Sequence, residues 1–270
     1  MDKQLFFRSA PLSYKVNGNG YPIMLVHGFG EDSSIWQEQV QALQHHALVI
    51  TPDLPGSGAS PWPCSGDGFL TMEDHAEALA NILDAEGLET CTIVGHSMGG
   101  YIALAFAARW PERLNGFGLF HSTASADGPE KITARERGIA FVQQHGAAAF
   151  LAEVIPGLYG EMFKQNHADQ VSDHMHRANQ FTNAAIIGYY RGMLARPDRK
   201  PVLQNFAKPV LLIMGEDDKT VHLQETLPQS HLPVECHVHI WKQVAHMGMR
   251  ENPSQANAAL QEFLSHVNEN

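Results

Sequence analysis

Cysteine is scarce in this chain: Cys64, Cys91 and Cys236 are the three among 270 residues. An odd number, without the paired spacing of a zinc site, excludes a disulfide framework and a structural zinc. Positive charge is also in short supply, with 18 Lys and Arg against 29 Asp and Glu and a net charge of −11. So acidic a chain has no electrostatic footprint for a phosphate backbone or an anionic lipid surface. Neither nucleic acid nor membrane is expected as a partner. No apolar run approaches the roughly 18 residues that span a bilayer. The first 14 residues also lack the continuous apolar core and small-residue cleavage site of a signal peptide. A soluble, reduced, cytoplasmic protein is the expectation.

What the chain does hold is apolar material: 44% of residues are hydrophobic and 17% charged, enough for a core and too rich for disorder. The length admits one large α/β domain or two small ones. Short runs rich in β-branched residues alternate with longer helical stretches, the pattern of an α/β protein. The runs 12–16 and 23–26 flank Asn17-Gly18-Asn19-Gly20 and predict an antiparallel hairpin. Further strands are predicted at 47–51, 92–94, 114–120, 209–214 and 236–241, and helices at 34–46, 72–86, 98–110 and 253–267. Between residues 122 and 207 the strand signal disappears and helices are predicted at 131–145, 147–155, 161–179 and 183–195. That stretch holds nine Lys or Arg against eight Asp or Glu, so the acidity lies in the rest of the chain. The division expected is a core of residues 1–121 and 208–270 interrupted by an all-helical insertion, 122–207.

Chemistry concentrates at Gly95-His96-Ser97-Met98-Gly99-Gly100, between a predicted strand and a predicted helix. A serine on such a sharp turn is held in a strained backbone conformation with its hydroxyl clear of the sheet. The turn needs glycine two residues before and two after, because a Cβ at either place would clash. The helix that follows aims its N-terminal dipole and the Met98 N–H at developing negative charge on a substrate. Gly-x-Ser-x-Gly alone recurs by chance; the flanking strand and helix give this occurrence its weight.

On these residues the chain resembles the α/β-hydrolase superfamily, over nearly its whole length outside the insertion. His27-Gly28-Phe29-Gly30 resembles the family's oxyanion loop, which implies that the Phe29 N–H pairs with that of Met98. The segment from Asp53 to Ser60 resembles the structural Asp-x-x-Gly-x-Gly-x-Ser, with Asp53 bracing a loop. His246 matches the general base that a serine nucleophile requires. Gly215-Glu216-Asp217-Asp218-Lys219-Thr220-Val221 resembles Gly-x-x-Asp-x-x-Val, which makes Asp218 the acid that orients the histidine. Asp217, its neighbour, and Asp127, after the strand ending near residue 120, stay open as alternatives.

The resemblance further implies a cofactor-free enzyme with no metal. His237 with His239, and His174 with His176 on a polar helix, lack a third ligand at metal spacing, and His27 and His96 read as braces for the backbone. Serine at position 97, where dehalogenases and epoxide hydrolases carry aspartate, implies an acyl-enzyme and therefore esters, thioesters, lactones, amides or certain carbon–carbon bonds. The insertion occupies the place of the family's cap. His121, Phe141, Tyr159 and Tyr190 are candidates to line the pocket, with packing of cap on body as the alternative for each. Arg196, Asp198 and Arg199 are an expected ion cluster at the cap hinge. The activity implied is a carboxylesterase for small to medium esters or lactones, as a monomer or homodimer. Acyl transfer or carbon–carbon hydrolysis on the same residues is the alternative, and a ligand receptor a more distant one.

Overall fold

Strands apolar on both faces need cover on both faces, and the chain alternates them with helices that provide it. The computed structural model describes residues 1–8, 10–66 and 68–269. Along them run β1 (Asp2–Phe7), β2 (Ala10–Asn17), β3 (Tyr21–Val26), α1 (Gln37–Leu43), β4 (Ala47–Pro52), α2 (Met72–Ala85), β5 (Cys91–His96), α3 (Met98–Arg109) and β6 (Leu114–Phe120). Helices then follow without a strand: α4 (Pro129–His145), α5 (Ala147–Val154), α6 (Glu161–Asn166), α7 (Ala168–Ala178), α8 (Asn183–Ala195) and α9 (Lys200–Asn205). Last come β7 (Val210–Gly215), α10 (Leu223–Thr226), β8 (Cys236–Trp241), α11 (Gly248–Glu251) and α12 (Pro253–Glu269). The strands form one sheet in the order β1-β2-β4-β3-β5-β6-β7-β8. From β4 to β8 every pairing is parallel. This is the mostly parallel, helix-flanked sheet expected of the chain. No helix among the described residues is long and apolar enough to cross a membrane.

The expected hairpin is not formed. β2 pairs antiparallel with β1 on one side and β4 on the other, and β4 separates it from β3. A period-two pattern identifies a strand without naming its partner. The Asn-Gly turn instead runs against the α1–β4 connection: Gly18 has φ 75°, and a Cβ there would overlap the carbonyl oxygens of Gln44 and Ala47. The true hairpin partner, β1, is an edge strand with every second residue exposed and carries too little apolar signal to be read beforehand. The helix predicted at 161–179 is two helices, because His167 at φ −135° breaks it between α6 and α7. The single helix at 34–46 is a short turn at Ser33–Trp36 followed by α1. Helix α9, with a proline in its first turn, was not expected.

The ends of the insertion are tied by charge. Asp127, just before α4, bonds Arg135 Nε at 2.6 Å and Arg196, just after α8, at 2.9 Å. The expected cluster of Arg196, Asp198 and Arg199 is thus replaced, since Arg199 pairs with Glu73 of α2 and Asp198 with Lys200. Arg196 is buried, lies 3.9 Å over the Tyr101 ring and donates to the Met193 and Ser125 carbonyls, so it cannot swing out to water. Removing one partner of a buried pair costs about 3–5 kcal/mol because the other charge stays buried alone. Asp127→Asn is therefore expected to lower Tm by roughly 10 °C in a thermal melt followed by circular dichroism. An unchanged Tm would mean that solvent reaches the cluster.

Candidate active site

Ser97 joins β5 to α3 with φ 50° and ψ −112°, a conformation that costs a non-glycine residue about 1–3 kcal/mol. Backbone bonds hold it there. Its N–H donates to Phe120 O at 3.0 Å, and its carbonyl accepts the Gly100 N–H at 2.9 Å and the Ser122 hydroxyl at 2.7 Å. The flanking glycines are obligatory by close approach: a Cβ on Gly95 would fall on the Gly99 backbone, and one on Gly99 on the Val26 carbonyl. Met98 is the first residue of α3, so its N–H has no acceptor inside the helix and sits at the positive end of the helix dipole.

Asp218 lies in the loop after β7 and is buried. Its Oδ2 accepts from His246 Nδ1 at 2.8 Å and His121 Nδ1 at 3.1 Å, and its Oδ1 from the N–H groups of Thr220 and Val221 at 2.8 and 2.9 Å. Burial pushes its carboxyl up, but the charge of His246 and the hydrogen bonds from both histidines outweigh that and hold it well below the usual range. With its Nδ1–H committed to Asp218, His246 has Nε2 as the ring nitrogen left to exchange a proton. The His246 backbone is fixed too, its N–H donating to Leu158 O at 3.0 Å. Of the two alternative acids, Asp217 is exposed and Asp127 belongs to the arginine cluster. His121 is buried beside Asp218; burial pushes its imidazole down to about 4, and its Nε2 has no hydrogen-bond partner among the described residues.

The loop after β3 is tied from several sides. His27 Nε2 accepts the Leu54 N–H at 3.0 Å, and Asp53 accepts the Ser33 and Ala59 N–H groups, each at 2.9 Å. Glu31, buried, accepts the Gly28 N–H at 2.6 Å and lies 3.0 Å from His96 Nδ1. His96 Nε2 in turn donates to the His246 carbonyl at 2.9 Å. His174, expected on a polar helix face, is buried, with Nε2 on Gly30 O at 3.2 Å and Nδ1 on the Tyr159 hydroxyl at 3.0 Å.

Ser97 and His246 line one cavity of about 190 Å³. Its walls come from Phe29 and Tyr101 of the sheet side and Leu158, Tyr190 and Met193 of the insertion. Of the four residues expected on the pocket wall, Tyr190 is there, stacked on Phe29 at 4.6 Å between ring centroids. The other three lie off it. His121 stands behind Asp218, Phe141 packs on Phe150 and His145, and Tyr159 stacks on Phe163. Each was expected from helical spacing or sheet-edge position, which cannot tell a cavity from the packing behind it. Met98, whose side chain is fully buried, is not among the residues of the wall. Glu31, Lys131 and Arg135 reach the wall without having been anticipated.

Among the described residues, two groups could chelate a cation. One is His121, Asp218 and His246, whose ligand atoms already bond one another; the other is Glu235, His237 and His266, where the fold supplies the companions that sequence spacing denied His237.

A model of the alpha/beta hydrolase fold family matches residues 21–132. The putative carbamate hydrolase RutD of Azorhizobium caulinodans is 34% identical over 44% of this chain, and the chain spans 44% of that relative's length. A thermophilic esterase from Thermogutta terrifontis, solved with malate bound, is 30% identical over 96% of this chain and 94% of its own, with a TM-score of 0.89. The enol-lactonase from Burkholderia xenovorans LB400 has the same fold at 20% identity, covering 97% of this chain and 100% of its own, also with a TM-score of 0.89.

Proposed function

Because the chain belongs to the α/β-hydrolase superfamily, we propose that it is a cofactor-free serine hydrolase for small to medium carboxylic esters or lactones. The observation that carries this reading is the Asp218–His246 pair: a fully bonded carboxylate fixes one tautomer of a histidine that shares a cavity with Ser97. Ser97 Oγ attacks the substrate carbonyl carbon while its proton passes to His246 Nε2. The tetrahedral oxyanion is held by the Phe29 and Met98 N–H groups. Collapse breaks the ester bond, the leaving alkoxide takes the proton from His246, and the acyl group stays on Ser97. Water then attacks the acyl carbon, giving its proton to His246, and the second collapse releases the acid and restores the Ser97 hydroxyl.

Residues 122–207 act as the cap over a core of residues 1–121 and 208–270. Tyr190, Leu158 and Met193 give the cap side of the cavity an aromatic and aliphatic surface suited to an acyl chain. The solved esterase that is 30% identical supports ester chemistry. A carbamate presents the same carbonyl carbon to the same serine, and the RutD relative makes it a second substrate class to assay. The deciding experiment incubates the protein with p-nitrophenyl acetate and butyrate, with and without a fluorophosphonate. Turnover is expected, together with one phosphonate adduct mapped to Ser97 by mass spectrometry. If neither occurs, the proposal falls.

A further inference from the structure

We infer that Glu31 and His96 form a buried carboxylate–imidazolium pair that positions the oxyanion loop and His246 together. The pair serves the serine-hydrolase reading given above. Both side chains are out of contact with bulk water, Glu31 2% and His96 0% exposed. The His246 carbonyl can only accept, so His96 Nε2 carries a hydrogen. Between His96 Nδ1 and Glu31 Oε2, 3.0 Å apart, there must be one more proton. It belongs to the ring, because Oε2 also accepts the Gly28 N–H at 2.6 Å and a carboxylate that accepts two donors is held in its charged form. In agreement, burial alone would raise Glu31, but the charge of His96 and its hydrogen bond bring it down to about 2. For His96, burial alone would lower the ring, and Glu31 more than reverses that.

One carboxylate therefore touches all three parts of the site. Through Gly28 it sets the loop that carries the Phe29 N–H. Through His96 it grips the residue next to Ser97, and through the His96 Nε2–H it holds the backbone of the base. The fit leaves no slack, since a Cβ at position 28 would stand 3.0 Å from both Glu31 Oε2 and His96 Nδ1. Other titratable groups face this pair. The His246 ring lies 4.8 Å and the His121 ring 6.3 Å from His96 between centroids, Asp218 adds its charge to His96, and the His27 and His174 rings lie on the Glu31 side. Glu31 and His96 are positioning residues.

The test uses the full chain with nitrogen-15 in its histidines. In wild type, one imidazole, assigned by its loss in His96→Asn, is expected to keep both ring nitrogens protonated above the pH where an ordinary histidine loses its charge. In Glu31→Gln the amide oxygen can take the place of Oε2, keeping the Gly28 N–H and accepting from a neutral ring's Nδ1–H, but it carries no charge to hold a second ring proton; one ring nitrogen should move to the unprotonated range. On p-nitrophenyl butyrate, Glu31→Gln should lose about 10²-fold in kcat with KM nearly unchanged, because misplacement of the loop and base is felt chiefly in the transition state. A neutral His96 in active wild type overturns the pair, whether or not the variant folds. A Glu31→Gln enzyme with wild-type kcat overturns its positioning role. Wild type that shows the pair but turns over no ester overturns the hydrolase reading and takes that role with it.

Discussion

Replacing Ser97 by alanine is expected to lower kcat on p-nitrophenyl esters by about 10⁶-fold and to abolish the phosphonate adduct. Only the hydroxyl is lost. The bonds that hold position 97, to Phe120 O, Gly100 N and the Ser122 hydroxyl, all go to its backbone and survive the change. The fold and its melting temperature should therefore stay close to wild type, which separates loss of chemistry from loss of structure. A residual rate of about 10³–10⁴ over water should remain from the oxyanion hole and substrate binding. A variant that keeps more than about a tenth of wild-type kcat, far above that residual, would place the nucleophile elsewhere.

Asp218→Asn should cost about 10⁴-fold in kcat, and the site geometry explains why no rotamer rescues it. Four donors surround the carboxylate: His246 and His121 on Oδ2, the Thr220 and Val221 N–H groups on Oδ1. An asparagine NH₂ on the histidine side meets two ring N–H groups and forces His246 into the wrong tautomer. On the other side it meets two backbone donors and unravels the loop after β7. Asp217→Asn is the control: its side chain is exposed and its backbone N–H keeps the Val244 carbonyl, so activity within about twofold of wild type is expected, as for surface changes generally. The two variants, compared by kcat at one pH with folding checked by circular dichroism, identify the acid. Near-normal activity in Asp218→Asn would transfer the role to its neighbour.

The residues of this candidate site were legible where chain-local chemistry demands them. Gly95 and Gly99 flag the turn because a Cβ cannot be fitted there, and β5 and α3 on either side are announced by an apolar run and a helical period. Asp218 and His246 are implied by the resemblance of their segments, after β7 and β8, to the family's acid and histidine. What escaped notice depends on distant parts of the chain. Glu31 precedes Asp32, which caps the turn at Ser33–Trp36, and reads as one more acid in a loop until His96 is seen 3.0 Å away. His174 looked like a surface residue on α7 because burial of a polar ring needs partners, here Gly30 and Tyr159, that no local pattern reveals. The same limit produced the wrong hairpin: β2 and β3 were each recognised, but the strand that comes between them is supplied later in the chain.

The conformation of Ser97 carries a consequence for how such a protein can change over generations. At φ 50° and ψ −112° glycine would be more at ease than serine, so position 97 drifts downhill toward a residue with no hydroxyl. Under the role proposed for Ser97, the most stable sequence for this fold is thus an inert one. Selection for durability alone would erase the hydroxyl, and only selection on turnover holds it in place.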